Sequence, residues 1–278
     1  MIISRYFNSV SRSHSTHNWV FNSHNPSDVT IDELAQALAE KVVEFRCRRC
    51  LQHFNSWKNK VENGAPLDDA SKSALRAFLV PTFGDPDENR DPYIEHLEGF
   101  VGEWLWYFLS LENPTETIVH QIPPGFKSTD PGGDGFFIHR FINNELFFRL
   151  WEMKKYAPRK DDSTQQLSTT VNGAYSQLNS KALEYLARIT ATEQELKDPE
   201  LEEFVGRLVD FWVDASRQAA AGVSIATSLN HASQDCFNDF GNRFPRFTNP
   251  VRLLGMLTGI DDFAAFAVKV KDYVWKGL

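Results

Sequence analysis

The sequence predicts an α/β fold of the α+β kind: a mixed sheet flanked by helices, with helical additions on its N- and C-terminal sides. Three observations predict it. A run of β-formers, Phe136, Phe137, Ile138, Phe141 and Ile142, is separated from a second, Leu146 to Trp151, by the turn pair Asn143-Asn144. Both runs are dense enough in aromatic and branched residues for a sheet covered on both faces. Stretches with helical spacing lie on either side, at 93–111 and 163–189. With 278 residues and 42% hydrophobic content, the chain can bury one large core, or a core with helical additions.

Taken in order, the first 27 residues hold Ser, Arg and His but no acid before Asp28. That bias slightly resembles an organellar transit peptide. The preferred expectation is a polar arm or strand that docks through Trp19, Val20 and Phe21. Thr30-Ile31-Asp32-Glu33 is a capping box, and Leu34, Leu38, Val42 and Phe45 follow at helical spacing, so a helix is expected to start there and run as far as Phe54. A shorter helix is expected around Ser71 to Leu79. Pro81 to Pro92 reads as a loop or boundary. The 93–111 helix carries Leu97, Phe100, Val101, Trp104, Leu105 and Phe108, a wide apolar face suited to lying on a sheet. Thr115 to Ile122 reads as a strand, and Thr129 to Gly133 as a turn-rich loop. From Thr192 onward the chain reads as helical, with a helix from Glu193 to Ala221 and a last amphipathic helix from Asp261 to Trp275. The expected organisation is an arm and helical region at 1–90, a core at 91–190 and a helical region at 191–278.

Composition narrows the function classes. A net charge of −8 argues against broad nucleic-acid binding by the isolated chain, though a local basic groove remains compatible with it. No run of about 18 apolar residues is present, so no transmembrane helix is expected. Three cysteines suggest a reducing compartment without a disulfide framework. Cys47-Arg48-Arg49-Cys50 has C-x-x-C spacing, but nothing nearby completes a tetrahedral zinc set, and a structural role is preferred. His231, Asp235 and Asp239, four apart, would share one face if 227–240 were helical. Arg243, Arg246 and Arg252 with Phe244 and Phe247 form a basic-aromatic patch suited to nucleic acid or a partner. There is no P-loop, G-x-S-x-G elbow or Cys-His nucleophile signature.

The charged groups at the strand ends point to chemistry. Asp134 opens the first predicted strand; Glu152 and Lys154 close the second. Residues two apart on a strand share a face, so Glu152 and Lys154 project together, with Trp151 and Met153 on the other side. A charged pair on an apolar strand is costly to bury unless it binds something.

An Asp on one strand, Glu-x-Lys on the next and a Glu on the preceding helix (here Glu103, the only charge within 100–109) together resemble the PD-(D/E)XK nuclease superfamily. The resemblance covers roughly residues 92 to 190 and implies a restriction-endonuclease-like core. The family's Pro-Asp is replaced by Gly133-Asp134, and Asp130-Pro131 offers Asp130 as a substitute. A second Glu-x-Lys, Glu195-Leu196-Lys197, has no strand before it. The resemblance implies Mg²⁺ (or Mn²⁺) held by Asp134, Glu152 and Glu103, with the Met153 carbonyl a further ligand, since Mg²⁺ prefers oxygen donors. Lys154 would orient the attacking water or offset developing charge. Arg149, Lys155, Arg159 and Lys160 would hold the phosphate backbone. Gln177, on the helix after the lysine strand, is a weaker candidate for the same site. The helical additions resemble those of prokaryotic anti-phage defence nucleases, the nuclease-subunit family of the Hachiman system among them. That implies a cytoplasmic DNA nuclease working with a helicase or ATPase partner. A non-catalytic interaction subunit, with Glu152 and Lys154 as a strand-end salt bridge, is the alternative.

Overall fold

Seven strands form one curled sheet in the order β1-β2-β7-β6-β5-β4-β3. They are β1 (Phe7–Ser13), β2 (Asn18–His24), β3 (Thr117–Ile122), β4 (Gly135–Arg140), β5 (Leu146–Tyr156), β6 (Ala219–Ser228) and β7 (Leu253–Ile260). The four inner strands β2, β7, β6 and β5 run parallel. The hairpin partner β1 and the meander β5-β4-β3 pair antiparallel. This is a computed structural model that describes residues 2–25, 30–125, 135–158, 166–193, 196, 198–247 and 249–278.

Helices cover both faces. On one lie α1 (Ile31–Arg46), α2 (Leu51–Asn63), α3 (Asp69–Phe83), α4 (Ile94–Glu112) and the last helix. On the other lie α5 (Leu167–Thr192), α6 (Pro199–Gly206), α7 (Leu208–Val213) and α8 (Phe240–Arg243). The last helix, α9 (Phe263–Lys276), follows β7 and packs on α1 and α4. Among the described residues, no helix is long and apolar enough to cross a membrane.

Local signals hold where they are strong. Thr30 caps α1 as expected: its Oγ1 accepts from Glu33 N at 3.3 Å, and Glu33 Oε2 accepts from Thr30 N at 3.0 Å. Asn144 takes the left-handed conformation (φ 70°) that the β4-β5 turn needs. α4 is buried nearly all round, with Trp104, Leu105, Trp106 and Tyr107 each at most 1% exposed. It therefore sits inside the curl of the sheet under α1, α3 and α9 rather than on an open face.

Several expectations are corrected. α1 stops at Arg46, because Cys47–Cys50 form a turn in which Cys50 N donates to Cys47 O at 2.7 Å. The redirected α2 then docks on α9 through Trp57 Nε1, which donates to the Val274 carbonyl at 3.0 Å. Burial pushes the Cys47 thiol up to about 12, so it is protonated near neutral pH and is a poor metal ligand or nucleophile. The largest correction concerns 191–278, which contributes two central strands. Ala219-Ala220-Ala221-Gly222 has helix-forming alanines, yet it lies in the sheet where a small side chain is required. A Cβ on Gly222 would sit 2.4 Å from the Trp151 ring on the adjacent strand. Burial against neighbours overrides helix propensity here. The N-terminal arm is likewise a full hairpin in the same sheet, so strands from all three expected regions pair in one sheet.

The row His231, Asp235, Asp239 is not on one helix face, because 229–237 folds as two short 3-10 turns. The basic-aromatic patch is surface only in part: Arg243 and Arg246 are exposed, while its other members are held in the fold. Phe244 and Phe247 are buried, Arg246 donates to the Trp212 carbonyl at 2.6 Å, and Arg252 is 8% exposed and donates to the Ala219 carbonyl at 2.7 Å. These two arginines satisfy backbone carbonyls at the ends of α7 and its following turn.

One consequence of the packing is a pH dependence of stability. His139 on β4 is 3% exposed. Burial, and then the Arg149 charge beside it, hold its pKa well below the usual 6.5, against a weaker opposing pull from the Glu116 backbone. The unfolded chain takes up this proton near pH 6.5 while the folded chain does not, so stability rises with pH in that range and falls on acidification below about 6.5. One such group contributes at most about 1.4 kcal/mol per pH unit. Thermal unfolding between pH 7.5 and 5.5 is expected to show this slope, and His139→Gln is expected to flatten it. An unchanged slope in the variant would assign the effect elsewhere.

Candidate active site

The site is built on the C-terminal end of β5. The β4 register ends at the pair Gly135↔Trp151, whereas the β6 register continues from Glu152↔Val223 to Tyr156↔Thr227. Residues 152–156 thus have a described strand on one side only. Along them, side chains alternate between the two helical layers. Glu152 and Lys154 face α5, while Met153 and Lys155 face α4.

Glu152 is wholly buried, and its Oε1 lies 2.7 Å from Lys154 Nζ. Lys154 Nζ also donates to Gln177 Oε1 on α5, at 2.8 Å. The lysine side chain keeps 31% exposure, so it links a buried carboxylate to the surface. On the α4 layer, Lys155 donates to Glu98 Oε2 at 2.7 Å. Glu103 is half-buried and lines a cleft of about 30 Å³ with Gly102, Met153, Lys154 and Lys155. That is room for about one water or a small ion.

The structure therefore joins Glu152 to Lys154 in an ion pair, and places Glu103 in a cleft that Lys154 and Lys155 also line, at one end of the sheet. The two acids belong to opposite layers, Glu152 on the α5 side and Glu103 on the α4 side, so the structure does not bring these two carboxylates together. Asp134, its substitute Asp130, Arg159, Lys160, Glu195 and Lys197 lie outside the described residues. Arg149 departs from its expected role. It is 2% exposed, donates to the Val251 carbonyl at 2.8 Å and pairs with Glu116 at 3.3 Å. As an odd-numbered β5 residue away from the open end, it is sealed within the fold and cannot reach a phosphate backbone.

Two residues join the site beyond the four principal candidates. Gln177, the weaker candidate that the resemblance implied, contacts Lys154 from α5. Glu98 had no signal, since nothing in the sequence pairs it with Lys155 across α4 and β5. Among the described residues, no group of three or more His, Cys, Asp or Glu side chains is arranged to hold a metal ion. The described donors, Glu152 and Glu103, are the hard oxygen type that suits Mg²⁺. They lie on opposite sides of β5 and so do not form one ligand set, and Asp134 is not described.

No family model matches this chain, and no curated protein matches it. The reading below thus depends on the residues and their placement.

Proposed function

We propose that the chain is a metal-dependent nuclease of PD-(D/E)XK type, which hydrolyses phosphodiester bonds in DNA. The observation that carries this reading is the wholly buried Glu152 held against a partly exposed Lys154, itself fixed by Gln177, at a strand end beside Glu103. Burying a carboxylate this far is unfavourable without compensation, and keeping its lysine at the surface aims the charge at solvent rather than at the core. Glu152 and Asp134 would hold Mg²⁺ or Mn²⁺, with Glu103, on the α4 side of β5, outside that pair. When bound, the ion would offset charge on the scissile phosphate and lower the pKa of a water. Lys154, oriented by Glu152 and Gln177, would hold that water or the developing oxyanion. Lys155, with Arg159 and Lys160, would contact the phosphate backbone.

We place this activity in the cytoplasm, as the effector of a prokaryotic anti-phage system with a helicase or ATPase partner. Support for the partner is the acidic balance of −8, which disfavours tight binding of a polyanion by the chain alone. Duplex DNA is therefore expected to bind the purified chain more weakly than about 1 µM near physiological salt. A fluorescence-anisotropy titration giving submicromolar affinity would remove the need for a partner. A second reading, a non-catalytic interaction subunit, is favoured by the same ion pair, which is a self-contained strand-end salt bridge. Cleavage assays on Glu152 and Lys154 variants separate the two.

A further inference from the structure

The turn between α1 and α2 carries a pair of side chains that the proposed site does not use. Cys47 caps the C-terminus of α1, and Cys50 is the N-cap of α2. The Cys50 N–H donates to the Cys47 carbonyl at 2.7 Å, which closes residues 47–50 into one turn. A turn closed in this way brings its first and last Cα atoms within about 7 Å. Disulfides join Cα atoms about 4.4–6.8 Å apart. The turn is also held from outside. Arg46 Nη1 donates to the Phe78 carbonyl at 2.6 Å and Nη2 to Thr82 Oγ1 at 3.1 Å, both on α3.

The two thiols differ in what they meet. Cys47 is wholly buried in the core, whereas Cys50 is half-buried, so a reagent in solution reaches Cys50 first. The sulfurs also act on each other: after burial, Cys50 is the neighbour that pushes the Cys47 thiol up. Once Cys50 is oxidised, its part of that push is gone, and Cys47 becomes a better nucleophile. Cys236, the third cysteine, packs on the opposite face of the sheet, so it does not compete for either sulfur. Among the described residues, neither sulfur belongs to a group that could hold a metal ion.

We propose that Cys47 and Cys50 are a reversible redox pair, which a peroxide converts to a disulfide across the α1–α2 turn. The Cys50 thiolate attacks one peroxide oxygen and breaks the O–O bond, giving a sulfenic acid and releasing hydroxide. The Cys47 sulfur then attacks the Cys50 sulfur, and the sulfenic oxygen leaves as water with the Cys47 proton. In sum the two thiols lose two electrons and two protons, and the peroxide becomes two waters. The pair stands whether or not the cleft cuts nucleic acid. To test it, the folded, fully reduced chain is exposed to hydrogen peroxide, then unfolded, alkylated at its free thiols and weighed by mass spectrometry. The untreated chain has three cysteines to alkylate; the treated chain is expected to lose two of those sites, and dithiothreitol to restore them. The peptide spanning 47–50 should be lighter by two hydrogens. Cys50→Ser, which keeps a favourable N-cap and so the fold, is expected to form no disulfide. All three thiols still free after treatment, a disulfide that includes Cys236, oxygen added to Cys50 of the wild-type chain without the loss of two hydrogens, or a disulfide that forms only after urea unfolding would each overturn the proposal.

Discussion

Glu152→Gln is expected to lower Mg²⁺- or Mn²⁺-dependent cleavage by roughly 10²–10³-fold, the scale of losing one preorganised electrostatic contact at a reacting phosphate. The substitution keeps the shape of a side chain that has no exposure but removes its charge. Lys154 retains its bond to Gln177, so the local fold should persist. Lys154→Gln is expected to lower cleavage to a similar extent and to destabilise more. It takes away the ammonium 2.7 Å from a carboxylate that is wholly buried, and removing one partner of a buried pair is the expensive direction. This asymmetry makes Glu152→Gln the cleaner test. The assay compares both variants with the wild-type chain on DNA, with the partner added if one is isolated, alongside urea unfolding of each. If folded Glu152→Gln cuts as fast as wild type, the pair is a strand-end salt bridge and the interaction-subunit reading replaces the nuclease.

Trp106→Ala is expected to destabilise the chain by about 3–5 kcal/mol, the range for emptying a buried aromatic site. Trp106 is 1% exposed, and its ring centroid lies 5.2 Å from Phe137 and 5.3 Å from Trp151. It also fills the space above Gly135, where a Cβ would fall 2.0 Å from the ring. The side chain thus supports the start of β4 and, through Trp151, the residue preceding Glu152. Urea unfolding should show a lower midpoint with an unchanged slope. Cleavage, where measurable, should fall as well because the strand ends lose their support. A loss below about 1 kcal/mol would mean the surrounding rings collapse into the space, contrary to the packing argument.

Much of the chain's local structure was legible because its signals are local. The Thr30–Glu33 box, the Asn143-Asn144 turn, the apolar girth of α4 and the alternation of Glu152 and Lys154 against Trp151 and Met153 depend on residues within a few positions of one another. The Glu152–Lys154 contact follows from the two-residue repeat of a strand, so sequence alone determined that these charges share a face.

Tertiary structure decided the rest, through contacts between residues far apart in the chain. The run Ala219–Gly222 has alanines that prefer a helix in isolation, but it lies in the sheet, and at Gly222 Trp151, about seventy positions earlier, leaves no room for a side chain. Arg149 looked available for phosphate until Val251 and Glu116 enclosed it. Glu98 gained a partner only when α4 was laid on β5, and Gln177, a candidate by resemblance, met Lys154 only when α5 covered the other face. A period of two or of 3.6 is fixed by the backbone and can be read from the sequence. Which face is covered, and by which distant side chain, depends on how the whole core closes.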